Sequence, residues 1–433
     1  MRRLLIVSPH FPPVSSADMQ RVRMLLPHLR DGGWDAEVLA VDPAAVASPL
    51  DPWLVEGLPP GLPVHRVRVP GTRWSRLPGL GTLGFRALPA LARAGERLLS
   101  TGRFDFVYFS TTVFEVHVLG PRWRRRFGVP FAIDYQDAWV SDYYRDRPAT
   151  TPPGGRLKYA LVRRLHQWME PRVLQACSGL TTVSPDYPRQ LAARYPGLRL
   201  PRTLVQGFPG AASDFDRVPE RPPADVPFDP CDGQRHWVYV GRGGEDMALS
   251  AGALFAALAR ERQAGRARDV RLHFIGTSYA RSGDGRKSFE PLARAHGLGG
   301  VVHEQTDRIA YVSTLWCLRN AHALVVPGSD DPAYTASKIY PYLLAGLPLL
   351  ALFHRRSTVV DLVARVGGAV CVAFDDNEER EAIATRIRRD WFDSAAALRP
   401  LALDRDAFQP YTDVACASEL SSFLHLCLEG ARA

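Results

Sequence analysis

The chain has 433 residues, of which 46% are hydrophobic and 23% charged, a globular composition long enough for two domains of about 200 residues each. The net charge of +9 favours an acidic ligand, a phosphate-rich surface or an anionic membrane. Arginine is dispersed over both halves and no known reading motif occurs, which makes a nucleic-acid partner the weakest interpretation.

The cysteines and the apolar runs indicate the compartment. Six cysteines are scattered without a C-x-x-C pair, which argues against a zinc finger or a disulfide scaffold and favours a reducing cytoplasm. The apolar run after MRR is four residues long, and no run approaches the roughly 18 residues that span a membrane. We therefore expect a cytoplasmic protein, with peripheral contact at the inner membrane face as an open alternative.

Residues 1–206 are predicted to form an α/β domain with a doubly wound parallel sheet. A strand ending at Ser8, a helix over about residues 19–30 and the strand AEVLAV give its β-α-β start. The first loop carries Ser15 and Ser16, and a strand over residues 131–134 ends in DYQDAW. A carboxylate at the carboxyl end of a strand, such as Asp134 or Asp137, can accept or orient the proton of a hydroxyl. An ordinary connection and a helix-capping aspartate are the alternatives.

Two basic segments of this domain have two interpretations each. PRWRRRFGVPF and the amphipathic stretch RLKYALVRRLHQWMEPRVLQACSG combine arginines with apolar positions. Each is consistent with an anionic membrane surface or with a solvated face of a domain helix. Residues 207–235, which include a run of prolines, are predicted to be the interdomain linker.

Residues 236–405 are predicted to form a second domain of the same kind, and residues 406–433 a tail with a helix that crosses back to the first. The strand HWVYV runs into a turn with Gly241, Arg242 and Gly243, whose spacing is not the dinucleotide fingerprint. Glycines let the backbone approach a phosphate closely. Thr277 lies in the next crevice-side turn and Arg308 beyond the strand after it.

A strand-loop-helix-strand unit near residues 323–353 is the strongest signal in the chain. A strand over residues 323–327 precedes a polar loop with Tyr334, and a helix is predicted to open near residues 335–338. Thr335, Ser337 and Lys338 would then combine hydroxyls and an ammonium with a helix N-terminus, which suits a phosphate or diphosphate. Lys338 is one of three lysines among 54 basic residues, which favours a needed point charge over an exposed first-turn lysine.

These motifs resemble those of retaining glycosyltransferases of the GT-B type, loosely the family-four group. DYQDAW is similar to the group's Asp-x-Arg-Asp-x-Trp turn, and Arg242 matches its Gly-Arg turn. The group's motif Ser-Lys-x-x-Glu-Tyr-x-x-x-Gly-x-Pro is matched at Ser337, Lys338, Tyr342, Gly346 and Pro348. The two donor-binding glutamates of the group fall here on Ala333 and Pro341.

The resemblance implies two Rossmann-like domains facing across a cleft, and a bacterial-type hexosyltransferase that moves a sugar from a nucleotide diphosphate-sugar donor to a hydroxyl. Retention, metal independence and a place in polysaccharide or glycoconjugate biosynthesis follow from it, with the nucleotide-sugar as co-substrate and no resident cofactor. The acceptor is a glycan, a lipid-linked carrier or a small molecule. The implied catalytic residues are Asp137, Arg242 and Lys338. The implied donor-binding residues are Gly241, Arg242, Gly243, Thr277, Arg308, Tyr334, Thr335, Ser337 and Lys338. The implied acceptor-binding residues are Ser15, Ser16, Asp134 and Asp137.

Two other functions remain open from the sequence. A sugar-nucleotide epimerase of the same fold would convert its substrate without an acceptor. A catalytically silent sugar-nucleotide binding protein is favoured by the replacement of both glutamates. The base, the donor sugar and the oligomeric state are left open as well.

Overall fold

The computed structural model describes residues 1–71, 81–140, 155–280, 283–331, 334 and 336–432. The chain divides into two compact units. The first unit is Met1–Pro209 together with Asp413–Ala433, and the second is Gly210–Thr412.

The first unit is built on a seven-stranded sheet in which all neighbouring strands are parallel. The strands are β1 (Arg2–Val7), β2 (Trp34–Val41), β3 (Val64–Val67), β4 (Phe106–Ser110), β5 (Phe131–Tyr135), β6 (Gly179–Thr182) and β7 (Arg202–Val205), in the order β3-β2-β1-β4-β5-β6-β7. The helices are α1 (Gln20–Leu29), α2 (Trp53–Glu56), α3 (Leu83–Leu99), α4 (Leu119–Phe127), α5 (Arg156–Ala176) and α6 (Asp186–Arg194). Every residue of β4, β5 and β6 is buried, as expected of parallel strands with both faces covered.

The last helix of the chain, α15 (Asp413–Arg432), completes the core of this first unit. The indole of Trp34 stacks on His425 with ring centroids 4.6 Å apart, and its Nε1 donates a hydrogen bond to the Ser421 carbonyl at 3.2 Å. Gly179 is needed where α15 passes β6, because a Cβ there would lie 2.6 Å from Cys427 Sγ.

The second unit has a six-stranded parallel sheet. Its strands are β8 (Arg235–Val240), β9 (Val270–Ile275), β10 (Val302–Gln305), β11 (Ala323–Pro327), β12 (Leu349–His354) and β13 (Val370–Phe374), in the order β10-β9-β8-β11-β12-β13. The helices are α7 (Ala212–Asp216), α8 (Ala248–Gln263), α9 (Phe289–Ala295), α10 (Tyr311–Asn320), α11 (Ile339–Leu344), α12 (Thr358–Val366), α13 (Arg380–Ile387) and α14 (Arg405–Phe408). The prediction of two doubly wound parallel-sheet domains is confirmed.

The boundaries of the units differ from those predicted. Residues 210–235, predicted as a linker, pack within the second unit: Asp225 accepts hydrogen bonds from Ala310 N at 3.0 Å and from Ser313 Oγ at 2.5 Å. Residues 406–412 also belong to the second unit, so the part of the tail that packs in the first unit starts at Asp413. Prolines and charges in residues 210–235 suggested a linker, whereas the anchoring partners lie about 85 residues further along the chain.

His117 is a buried titratable group in the first core. Its ring lies 5.8 Å from Phe109, 6.1 Å from Phe114 and 5.2 Å from Trp139, measured between centroids. Neither ring nitrogen has a hydrogen-bond partner in the part of the chain that the structure describes. Burial therefore lowers the pKa of His117 from 6.5 to about 3.

The substitution His117→Phe is expected to make the protein less sensitive to acid. Below pH 6.5 the unfolded chain binds a proton at His117 that the folded protein does not. The free energy of unfolding therefore falls as the pH drops towards about 3, by up to about 1.4 kcal/mol per pH unit. His117→Phe keeps an aromatic ring and removes this loss, which urea unfolding followed by tryptophan fluorescence at a series of pH values would measure.

The matched control for this experiment is His303→Phe, at an exposed position on the edge strand β10. We expect it to leave the acid sensitivity of the first unit unchanged. An equal slope of unfolding free energy against pH for wild type and His117→Phe would contradict the assignment.

Candidate functional site

The candidate site of the second unit lies where the order of its strands reverses, between β8 and β11. The loops that leave the carboxyl ends of these two strands run in opposite directions around the sheet, which leaves a crevice for a ligand. Arg242 follows β8, and Lys338 directly precedes α11 at the end of the loop that follows β11. The fold thus brings together two cations that are 96 positions apart in the sequence.

Arg242 is held by two hydrogen bonds to one carboxylate. Its Nη1 and Nη2 lie 2.9 Å and 2.7 Å from the two oxygens of Asp246, and its guanidinium lies 4.8 Å from the ring centroid of Tyr334. Burial disfavours the charged form, but the hydrogen bonds and the charge of Asp246 outweigh it and raise the pKa of Arg242. Arg242 is therefore a fixed positive charge in a defined orientation.

Lys338 is a cation in a less favourable environment. Its Nζ donates a hydrogen bond to the Tyr239 hydroxyl at 2.7 Å and lies 4.6 Å from the centroid of that ring. Burial, together with the positive charge of Arg242, lowers the pKa of Lys338 from 10.5 to about 7. An anion bound beside it would favour the ammonium again, so the group is poised to gain charge when such a ligand arrives.

The hydroxyls of two tyrosines fix this arrangement. The Tyr342 hydroxyl accepts a hydrogen bond from Val240 N at 2.6 Å, which ties α11 to the end of β8. The Tyr239 hydroxyl donates to the Arg242 carbonyl at 2.7 Å while it accepts from Lys338. The close approach of Lys338 needs Gly241, because a Cβ at that position would lie 2.0 Å from its Nζ.

The backbone amides of two predicted donor-binding glycines have partners within the second unit. Gly241 N donates to the Ile275 carbonyl at 2.9 Å and Gly243 N to the Thr277 carbonyl at 2.8 Å, so both amides are already engaged. The Thr277 side chain is buried and donates to Glu304 Oε1 at 2.7 Å. Thr277 therefore orients a buried carboxylate, and its contact with a donor stays a prediction.

Glu304 is a capping residue that the sequence analysis did not identify. Its carboxylate accepts hydrogen bonds from the backbone N–H groups of Ser288, Phe289 and Glu290, at 3.0, 2.9 and 2.9 Å. These are the first turn of α9, where a negative charge is favourable. In the sequence Glu304 is an acidic residue in a predicted strand, and nothing there indicates that it caps a helix about 15 residues earlier.

The helix beside Lys338 is shorter than predicted. It covers Ile339–Leu344, so Ser337 and Lys338 lie in the turn before it. Ser337 is partly exposed, and Pro341 is the third residue of the helix, at the position of the second replaced glutamate. Thr335 and Ala333 lie outside the described residues.

Two further predicted donor-binding residues have defined neighbours. Arg308 is exposed, and its guanidinium lies 5.4 Å from the ring centroid of Tyr279. Tyr334 contacts Arg242 through its ring, and burial raises the pKa of its hydroxyl to about 12. In the described part of the chain no group of three or more His, Cys, Asp or Glu side chains is placed to hold a metal ion.

A second polar cluster lies in the first unit, at the carboxyl ends of β1 and β4, where the strand order of that sheet reverses. His10 Nδ1 lies 3.0 Å from Asp18 Oδ1, and Asp18 also accepts from Ser16 Oγ at 2.6 Å, Thr111 Oγ1 at 2.8 Å and Thr112 N at 3.1 Å. Burial raises the pKa of Asp18, but His10 and the hydroxyl donors outweigh it and lower that pKa to about 2. Asp18 is therefore ionised, and the His10 ring is 17% exposed above it.

An ionised Asp18 selects one tautomer of His10. A carboxylate can only accept, so Nδ1 of His10 is the donor. In the neutral ring Nε2 is then a hydrogen-bond acceptor. Neither residue was predicted from the sequence, because a single histidine after a strand carries no spacing signal that distinguishes it.

The predicted acceptor residues lie at different depths. Asp134 is completely buried in an ion pair with Arg21 at 3.0 Å and accepts from Ser110 Oγ at 2.8 Å, from Thr181 Oγ1 at 2.9 Å and from Gln136 Nε2 at 2.7 Å. Its predicted contact with an acceptor does not fit these surroundings, because no part of the side chain reaches solvent.

The other three residues of that prediction lie nearer the surface. Asp137 is exposed, and its Oδ1 accepts from Ala138 N at 2.8 Å. Ser15 and Ser16 are partly exposed; the Ser15 amide donates to the Pro49 carbonyl at 2.8 Å, and the Ser16 hydroxyl is bound to Asp18. Ser16 therefore belongs to the cluster around His10.

Comparisons with known proteins agree with this architecture. Residues 19–209 match the family model of the glycosyl transferase 4-like domain. A sucrose-phosphate synthase from Thermosynechococcus elongatus has a TM-score of 0.64 and 16% identity, over 99% of this chain and 100% of that one. HepE of Anabaena in complex with UDP has a TM-score of 0.60 and 15% identity, over 98% and 100%. A structure from E. coli, described as trehalose-6-phosphate bound with UDP-2-fluoro glucose, has a TM-score of 0.59 and 11% identity, over 99% of each chain.

A comparison with curated protein sequences finds no match. The solved structures cover nearly the whole chain at low identity, so what they share with it is the fold. The chain therefore has the two-Rossmann GT-B fold, and its residues 19–209 are similar to the glycosyl transferase 4-like domain.

Proposed function

We propose that this protein is a glycosyltransferase that moves a sugar from a nucleoside diphosphate sugar to a hydroxyl acceptor. The observation that carries the proposal is the pair Arg242 and Lys338 at the strand-order reversal of the second sheet. Solved structures with this fold contain UDP or UDP-glucose, which supports a nucleotide-sugar donor. Retention of configuration, independence of metal ions and a place in polysaccharide or glycoconjugate biosynthesis belong to the same proposal.

The chemistry asked of the second unit is stabilisation of a leaving group. When the bond between the anomeric carbon and the diphosphate oxygen breaks, negative charge develops on that oxygen. Arg242 is already charged and oriented, and Lys338 gains a proton as the diphosphate approaches. Two cations in a partly buried site offset this charge more strongly than they would in water.

The chemistry asked of the first unit is orientation of the acceptor. Nε2 of His10 accepts the hydrogen bond of the attacking hydroxyl, while Asp18 holds the ring. The hydroxyl oxygen forms the new bond to the anomeric carbon as the bond to the diphosphate oxygen breaks, and the hydroxyl proton passes to Nε2 of His10. Exposed Asp137 stays a predicted catalytic and acceptor residue. Buried Asp134 is linked to the cluster through Gln136, whose Nε2 donates to both the Asp18 carbonyl and Asp134.

Two alternatives are separated from this proposal by simple results. A sugar-nucleotide epimerase would convert its substrate with no acceptor present. A silent binding protein is favoured by Pro341, which stands where the resembling group has a donor-binding glutamate, and would bind a donor without turnover. Cytoplasmic location and peripheral membrane contact stay predictions at this point.

The first experiment is a thermal-shift panel of UDP-, GDP-, ADP- and dTDP-sugars, with and without magnesium, on wild type and Lys338→Ala. Stabilisation by one nucleotide that is lost in the variant and indifferent to magnesium would support the donor site. Turnover that remains unchanged in both Arg242→Ala and Lys338→Ala would overturn the mechanism.

Affinity for the nucleotide-sugar is expected to fall as the pH rises above about 7. The free protein has Lys338 with a pKa of about 7, and the bound diphosphate raises that pKa. Binding therefore takes up a proton above pH 7, and the dissociation constant increases by up to about tenfold per pH unit. Calorimetric titration of a nucleotide-sugar, whose diphosphate does not itself titrate in this range, measures the effect.

Two variants make this measurement specific. Lys338→Arg keeps a charge that does not titrate, so its affinity should be independent of pH in the same range. Lys287→Arg replaces another lysine, one paired with Glu290, and should behave as wild type. A pH dependence that persists in Lys338→Arg would assign it to a different group.

Replacing His10 is expected to lower turnover without loss of donor binding. His10→Gln removes Nε2 as an acceptor aimed at the hydroxyl, so kcat should fall by about 10- to 100-fold. Asp18→Asn should act in the same direction because the amide no longer fixes the tautomer of His10. Steady-state kinetics with the donor found in the panel, together with donor titration, separate the two effects.

His65→Gln is the matched control, because His65 is also a partly exposed histidine of the first unit paired with a carboxylate, Glu37. It should leave kcat within about twofold of wild type. Full turnover in His10→Gln would show that the acceptor is oriented elsewhere.

A further inference from the structure

An apolar stripe runs along the exposed side of α5. Leu157, Leu161, Leu165 and Trp168 are 85%, 70%, 36% and 56% exposed, values more typical of charged side chains. Their spacing of four, four and three residues puts them on one face of the helix. Four large apolar side chains in a row, all in contact with water, need an explanation that a single exposed leucine does not.

The other face of α5 is the one that packs in the first unit. Met169, Val173 and Leu174 are buried and belong to its core cluster. At the carboxyl end of the helix Arg124 of α4 donates a hydrogen bond to the Ala176 carbonyl at 2.5 Å. The helix is therefore fixed with the stripe directed outward.

The ionisable side chains that α5 exposes at the surface are arginines and lysines. Its 21 residues include five arginines or lysines and one carboxylate, Glu170, which is completely buried. Lys158 and Arg164 are exposed on either side of the stripe, and the Arg172 guanidinium lies 4.2 Å from the ring centroid of Trp168. The exposed face is thus apolar along its centre and positive along its edges.

We propose that α5 lies in the surface of an anionic membrane, with its axis in the plane of the bilayer. The leucines of the stripe would enter the acyl boundary, Trp168 the headgroup level, and Lys158 and Arg164 would contact lipid phosphates. The positive edges favour an anionic bilayer over an apolar protein partner, and each basic group adds to the attraction. This inference concerns the partner of a surface and does not depend on the proposed sugar transfer.

The geometry also explains why this contact would be peripheral. No helix among the described residues is long and apolar enough to cross a bilayer. A stripe from Leu157 to Trp168 spans about 16 Å along the helix, which suits an element lying flat at the interface.

The test is sedimentation of the full chain with vesicles of phosphatidylcholine alone and of phosphatidylcholine mixed with phosphatidylglycerol. Wild type should bind the anionic vesicles, and binding should weaken as salt is added. Leu157→Glu with Leu161→Glu should weaken binding by at least about tenfold, because two apolar groups are lost and two negative charges are added. Both sites are exposed, so circular dichroism should show an unchanged fold.

Trp168 supplies an independent readout. Its fluorescence should shift to shorter wavelength when anionic vesicles are added, and Trp168→Phe should remove most of that shift. The matched control is Leu398→Glu, at a 64% exposed leucine of the second unit, which should bind vesicles as wild type does.

Three results would overturn the proposal. They are no binding to anionic vesicles, equal binding by wild type and the double leucine variant, or a wild-type dimer that the same substitutions convert to a monomer. The last result, from light scattering, would assign the stripe to a contact between two copies of the chain. Sugar-transfer activity plays no part in any of these outcomes, so the two proposals fail separately.

Discussion

Parallel pairing of strands, with helices on both faces, is the constraint from which the functional geometry of this protein follows. It directs every carboxyl end in a sheet to the same edge, and at one point in each sheet the connections diverge. Between β1 and β4 that point holds the cluster of His10 and Asp18, and between β8 and β11 it holds Arg242 and Lys338. The order of the apolar strands therefore determines where these two polar clusters lie.

The charges at these two points are balanced in different ways. In the second unit one carboxylate, Asp246, pairs with Arg242, while burial, together with the positive charge of Arg242, lowers the pKa of Lys338. In the first unit a lowered pKa keeps Asp18 ionised, so the negative charge persists and orients a histidine. In the proposed function a diphosphate supplies the negative charge that the second unit lacks, and the His10 ring, held by Asp18, orients the acceptor hydroxyl.

The fold was largely predictable from the sequence, because runs such as LLIV and ALVVP, with breaks at glycine and proline, are local signals. Lys338 was predicted from its place near a helix start, and Arg242 from the resemblance of its Gly-Arg turn to that of a glycosyltransferase group. The burial of individual polar side chains was not predictable. Asp134 and Thr277 are polar residues at strand ends, yet both are buried, with partners up to 113 positions away in the sequence. The partner of Lys338, Tyr239, is 99 positions distant and had no signal in either segment.

The two units differ in how many segments of the chain they contain. Gly210 and Thr412 form an isolated β-bridge, and Gly210 N donates a hydrogen bond to the Tyr411 carbonyl at 2.8 Å. The first and last residues of the second unit are therefore adjacent. It is a single uninterrupted stretch of polypeptide, whereas the first unit is assembled from both ends of the chain. A chain that stopped after Thr412 would thus still contain the whole second unit, with Arg242 and Lys338. It would lack α15, which packs on Trp34 in the first unit. A nascent chain on the ribosome likewise cannot finish the first unit until the second has been synthesised.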